Sequence, residues 1–168
     1  RTMSQLKQLL DQIDHIKNQD SSCLPESFLN ETDLKNMYSA ITSRPAPKYR
    51  ETDLEPAPGN HFPKPEDLDN LVSHFFSQLD FSRHTLHPVE LAAMAYKRIV
   101  DMAPFEENEV LAQALMDRIL KACGYPRPLQ PLYLTDGYTE ALTSSRKRRD
   151  MDIFSEFAAA AVLSSADH

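Results

Sequence analysis

The sequence predicts an all-α fold, a compact helical bundle that carries one small β-hairpin flap. Three observations predict it. Apolar residues recur at helical spacing through most of the chain. Six of the 12 prolines (Pro45, Pro47, Pro56, Pro58, Pro63 and Pro65) fall in one short stretch, which interrupts that periodicity. Outside this stretch little of the sequence reads as strand. At 168 residues the chain is one domain with a sizeable core, and 41% hydrophobic with 26% charged residues is ordinary for a soluble globular protein.

The elements follow in order. Leu6, Leu9, Leu10, Ile13 and Ile16 lie at helical spacing, so residues 4–18 are expected as an amphipathic helix, the heart of an N-terminal extension over 1–30. Leu34, Met37, Tyr38 and Ile41 share a face of a second helix over residues 31–42. Residues 45–65 cannot be helical, because proline lacks an amide donor and clashes with the preceding turn. Pro58, Gly59 and Asn60 are a turn signal. A hairpin flap fits there, with one arm over 49–54 and the other through His61 and Phe62; a proline-rich linker fits the same residues equally well.

After Pro65 the helical period returns, and 66–145 is expected to form the core helices. Leu68, Leu71, Val72, Phe75, Phe76 and Leu79 mark the first of these. His87 reads as an N-cap and Pro88 as the first residue of the next helix, whose Val89, Ala92, Ala93, Tyr96, Ile99 and Val100 form a wide apolar face. Residues 103–108 (APFEEN) break the pattern. Val110, Leu111, Ala114, Leu115, Ile119 and Ala122 resume it, and Gly124 and Pro126 end it. A final helical stretch is expected from near Asp136 through the alanine-rich end, with 146–168 as its C-terminal part.

Composition excludes several functions. The three glycines, Gly59, Gly124 and Gly137, are far apart, so no glycine-rich phosphate loop of the Walker or dinucleotide type is present. A formal net charge of −7 disfavours nucleic acid as a partner, since phosphate contacts dominate such binding. Cys23 and Cys123 are too few for a disulfide framework or a metal site of their own. No apolar run approaches the ~20 residues of a membrane span, and the first residues lack a signal peptide's apolar core. The expectation is a cytoplasmic protein with no membrane association. His74, His84 and His87 read as surface histidines rather than a metal cluster, and Arg146, Lys147, Arg148 and Arg149 as a solvated basic run.

The helix–APFEEN–helix arrangement carries a resemblance. Together with His87, Pro88, Val89, Ala92 and Ala93 before it and Gly124, Tyr125 and Pro126 after it, it resembles the Fic (Fido) family. Members of that family mostly transfer AMP from ATP to a hydroxyl on a target protein. Tyr138, Ala141 and Leu142 resemble a further family segment, and Tyr49, Arg50, Leu54 and His61 stand where the family has its target-docking flap. The likeness spans residues 33–145.

The resemblance implies a Fic-like bundle with a degenerate active-site motif. The family pattern is H-P-F-x-[DE]-G-N-G-R-x-x-R. Here Ala103 takes the place of the histidine that acts as general base, a loss worth ~10²–10⁴-fold or more in rate. Pro104, Phe105 and the acidic Glu107, the family's Mg²⁺ ligand, remain. Asn108, Glu109 and Val110 replace the glycine-flanked anion hole, and Leu111 and Ala114 replace the two arginines. Glu109 places a carboxylate where a helix N-terminus would otherwise attract phosphate, and like charges at ~4 Å cost on the order of a few kcal/mol. Arg118, one turn beyond Ala114, compensates only in part. Many Fic proteins also carry an inhibitory helix; in its best match here Thr42 stands where the inhibitory glutamate would be.

The reading is a Fic-fold protein that no longer transfers AMP and binds a protein partner, or a second copy of itself, through its flap, with no cofactor. Two alternatives stand beside it. One is a nucleotidyltransferase that uses ATP and Mg²⁺ at Glu107 through a divergent motif; the other is a nucleotide sensor without turnover.

Overall fold

The computed structural model describes residues 4–17, 24–45 and 47–167. Cys23 and the end of the expected first helix, Asn18, lie outside them. The described residues form seven α-helices: α1 (Gln5–Asp14), α2 (Glu31–Thr42), α3 (Leu68–Ser82), α4 (Pro88–Met102), α5 (Asn108–Ala122), α6 (Tyr138–Arg148) and α7 (Met151–Ser164).

α4 is the hub, packed against α5, α7 and α3. Its burial pattern explains why. Leu91, Ala92, Ala93, Met94, Ala95 and Tyr96 are consecutive and all buried, so the helix is covered on every side. His87 caps it as the sequence implied: Val89 N–H donates to its Nδ1 at 3.1 Å, and the Glu90 carboxylate accepts from its backbone N–H at 3.3 Å. That bond leaves the neutral ring's proton on Nε2, which meets Asp14 Oδ1 at 2.8 Å. Tyr125 donates to the same carboxylate at 2.6 Å, so α1 is tied to the start of α4 and the end of α5. Partial burial acts to raise the Asp14 pKa, but the hydrogen bonds from Tyr125 and His87 more than offset it and hold the carboxyl below its ordinary value.

α1 buries Leu6, Leu9, Leu10 and Ile13 against α7. At about 1.5–3 kcal/mol for each fully buried side chain, this contact stabilises a ten-residue helix that alone would be marginal in water. α2 packs on α5 and α3. Its last residue, Thr42, donates its hydroxyl to Tyr38 O at 2.7 Å, and Ser43 ends the helix in a left-handed conformation.

Two expectations need correction. The final helical stretch is two helices rather than one. Arg149 adopts φ 52°, and Asp150 accepts from Asp152 N–H at 3.0 Å as the N-cap of α7, so the chain turns between α6 and α7. The β-hairpin flap is not formed either. The described residues contain no strand; between the two expected arms there is only one antiparallel bridge, Ala57 to Asn60.

The reason lies in the residues. Pro56, Pro58 and Pro63 supply no amide to a ladder. The first arm pairs elsewhere, Arg50 N–H donating to Pro104 O at 2.8 Å. The Arg50 guanidinium then does the work of a ladder. It donates to Thr52 O at 2.9 Å and Pro63 O at 2.6 Å, one in each arm, and to Ala103 O at 2.6 Å and Met102 O at 3.1 Å at the end of α4. Residues 47–65 therefore form a strap clamped by one side chain, and Ala46 of the expected flap lies outside the described residues.

The strap tip is docked on α6. Gly59 has φ +81°, and a Cβ there would lie 3.0 Å from the Lys147 backbone nitrogen and 2.9 Å from Lys147 Cγ. Gly59→Ala is therefore expected to lift the tip, at about 1–2 kcal/mol for the left-handed conformation alone. Hydrogen exchange would show it as faster exchange of the paired Ala57 and Asn60 amides with the core of α4 unchanged.

Candidate functional site

The loop between α4 and α5, the strap, α6 and the short 3₁₀ turn Leu132–Leu134 enclose a cavity of about 450 Å³. Ala103, Glu106, Glu107, Asn108, Glu109 and Val110 form one side; Leu54 and Phe62 of the strap, with Tyr133, Tyr138, Leu142 and Arg146, form the other.

Each loop residue has a local reason for its place. Ala103 ends α4 in the left-handed region (φ 47°), and its N–H donates to Ile99 O at 2.8 Å. Its carbonyl and that of Met102, two groups left over at the helix end, receive Arg50. Phe105 is buried, stacked on Tyr38 with ring centroids 4.2 Å apart, and Tyr49 lies tilted against it. Asn108 pins the loop reciprocally: its Oδ1 accepts from Phe105 N–H at 2.9 Å and its Nδ2 donates to Phe105 O at 2.8 Å. α5 then starts with no side-chain cap at Glu107 and with Glu109 in its first turn.

The site is acidic. Glu106, Glu107 and Glu109 are exposed at the cavity. Arg44 reaches Glu106 Oε2 at 2.7 Å across an exposed gap. Tyr138 is pushed to a higher pKa, first by burial and then by Tyr96 and Glu109, with which it hydrogen-bonds. Its hydroxyl also accepts from Tyr96 at 3.2 Å. Arg146 is the cation of the cavity wall, but it is spoken for: Nε meets Asp101 Oδ1 at 2.6 Å with only 8% of the side chain exposed. Lys97 holds the other Asp101 oxygen at 2.7 Å. The three glutamates are not grouped so as to hold a metal ion; no such group of His, Cys, Asp or Glu occurs among the described residues.

The structure brings together the loop residues Ala103, Glu107, Asn108, Glu109 and Val110 with Leu54 of the strap. Leu111 is fully buried in the core, away from the cavity lining, and Ala114 does not line it either. Tyr49 and Arg50 serve packing and clamping, and His61 is exposed on the strap. His74 and His84 are exposed. The wall residues missed by the sequence reading are Phe62, Tyr133 and Arg146. Arg146 was visible only as part of a basic run, and nothing local links it to Asp101, 45 positions away.

The helical core, with its loop between two central helices facing a strap, matches the fold of solved Fic-domain structures. Solved structures agree: Fic-1 (aa134–508) from C. elegans superposes with TM-score 0.67 at 21% identity, over 97% of this chain and 48% of that one. A Fic domain containing signaling protein from Bacteroides thetaiotaomicron gives 0.66 at 17% identity, over 97% and 68%. IbpAFic2 covalently tethered to Cdc42 gives 0.64 at 17%, over 95% and 54%. In sequence, Protein adenylyltransferase Fic of Aedes aegypti is 41% identical over 71 residues, 40% of this chain and 14% of the relative. That of Drosophila melanogaster is 39% identical over 77 residues, 44% and 15%. No family model matches the chain. The chain therefore has a Fic fold and shares a segment with the Fic adenylyltransferases, and it spans about a seventh of the length of the curated relatives it matches. No helix among the described residues is long and apolar enough to cross a membrane.

Proposed function

We propose that this chain is a Fic-fold binding protein that does not transfer AMP. The observation that carries this reading is the loop between α4 and α5. Transfer needs a proton acceptor for the target hydroxyl and a cationic, open cradle for the triphosphate. The loop offers the Ala103 methyl, whose backbone is committed to capping α4, and the Glu109 carboxylate with the Val110 side chain at the start of α5. The nearby guanidinium, Arg146, is already engaged by Asp101. A magnesium–triphosphate does not fit this set: Glu107 could hold the metal, but the phosphates would face carboxylates, with Arg146 of the lining already engaged.

Binding needs none of the lost groups. Residues 51–55 of the strap are exposed, and no backbone hydrogen bond joins them to another described segment. Such a segment can pair main chain to main chain with a partner, beside a cavity that accepts a side chain. The partner is another protein or a second copy of this chain.

Incubation with labelled ATP, CTP, GTP and UTP, Mg²⁺ or Mn²⁺ and a lysate tests the reading. No labelled protein is expected. Labelling that disappears with Glu107→Ala would establish the transferase instead.

A further inference from the structure

We infer that the segment received by the strap and cavity is basic, a stretch of polypeptide that presents a lysine or arginine to the cavity mouth. The inference rests on the binding reading above and adds the chemistry of the partner. It begins with charge. Glu51, Asp53 and Glu55 are all exposed in the strap segment that makes no backbone–backbone hydrogen bond to another described segment, interleaved with Thr52 and Leu54. Leu54 lines the cavity, so this acidic segment runs along its mouth. Glu107 and Glu109 line the same cavity, neither of them in an ion pair with another described residue.

The cations nearby do not cancel this charge. Arg44 is held by Glu106, Arg146 shares Asp101 with Lys97, and Arg50, which Asp53 faces, is one buried cation against the three carboxylates of its segment. Carboxylates around a concavity with apolar walls focus a negative potential into it. The walls suit the same ligand, since Phe62 and Tyr133 present aromatic rings and Leu54, Val100 and Leu142 present aliphatic ones. A lysine or arginine buries its methylene stem along such surface and leaves its charged head at the carboxylates, while the Phe62 face is already taken by the Arg146 guanidinium 6.0 Å from its centroid. An extended partner lying along the strap would place its side chains alternately, so every second one can meet an acid while the others pass Thr52 and Leu54. An anionic or phosphorylated segment is rejected by the same groups.

The test is fluorescence anisotropy of the intact chain with labelled decapeptides of alternating lysine and threonine, or glutamate and threonine. The lysine peptide is expected to bind and the glutamate peptide not to. Binding should fall about tenfold or more between ~0.05 and ~0.5 M salt, as the screening length shrinks below the size of the site. Glu107→Gln with Glu109→Gln should weaken it about tenfold at low salt, while circular dichroism stays unchanged. Equal binding of both peptides would overturn the basic partner and leave strap binding standing. Binding of neither would remove both. A lysine peptide indifferent to Glu107→Gln with Glu109→Gln, but sensitive to Glu51→Gln with Asp53→Asn and Glu55→Gln, would remove the cavity from the inference.

Discussion

Replacing Arg50 with alanine is expected to lower the stability of the fold by about 3 kcal/mol, taking hydrogen bonds to a charged donor at roughly 1.5–3 kcal/mol each and discounting for their shared side chain. Four carbonyls lose their donor at once: Thr52 and Pro63 in the strap, Met102 and Ala103 at the end of α4. Arg50 is 9% exposed, so water cannot replace it without the strap opening. That opening limits the loss, because a strap released from α4 lets solvent reach the carbonyls. In a domain of this size the shift is on the order of 6–12 °C in Tm. Arg50→Lys is expected to recover little of it, because an ammonium cannot span four acceptors as a planar fork does. Thermal denaturation of both variants checks this, and a Tm within a degree of the parent for Arg50→Ala would show that the clamp is not what holds the strap.

The clamp also explains what was legible in the sequence. The helices were, because their signals are local. Leu6 to Ile13 repeat every three or four residues, Pro88 follows a capping His87, and Gly124 with Pro126 stops α5. The turn at Pro58, Gly59 and Asn60 was equally local, and it is present. What it joins was not legible, since a hairpin was expected from a turn flanked by residues able to extend. Which group satisfies the flanking carbonyls depended on Arg50 reaching α4 from 52 and 53 positions away. The break between α6 and α7 had a weaker local signal, an aspartate able to cap, and no proline or glycine to mark it.

The site divides the same way. The order of Ala103, Pro104, Phe105, Glu107 and the residues that follow identified the loop without any geometry. Asn108 and Glu109 were read as losses, but one of them has acquired a use: Asn108 ties down the Phe105 backbone. The charge of the cavity was only half legible, because Arg146 counts as a free cation in sequence and shares Asp101 with Lys97 in space. How strongly the Arg146 side of the cavity opposes a cation therefore depends on Asp101.

Asp101→Asn is expected to act on both stability and recognition. Asp101 accepts from Lys97 at 2.7 Å and from Arg146 at 2.6 Å, and the three side chains are 16%, 8% and 21% exposed for Lys97, Arg146 and Asp101. Removing the one anion leaves two largely buried cations facing each other. Breaking a buried pair costs about 3–5 kcal/mol, and the partial exposure here lowers that to roughly 2–3 kcal/mol. The cations also gain a net positive charge at the cavity wall, so the lysine peptide should bind more weakly to Asp101→Asn than to the parent at low salt, with the difference closing as salt is added. Adding Arg146→Gln should return part of both effects, because the repelling cation is then gone. Denaturant unfolding of the two single variants and the double variant gives the coupling energy, expected at about 1–3 kcal/mol for groups in direct contact. Additive losses, or peptide affinity untouched by Asp101→Asn, would show that Asp101 does not restrain the charge of the cavity wall.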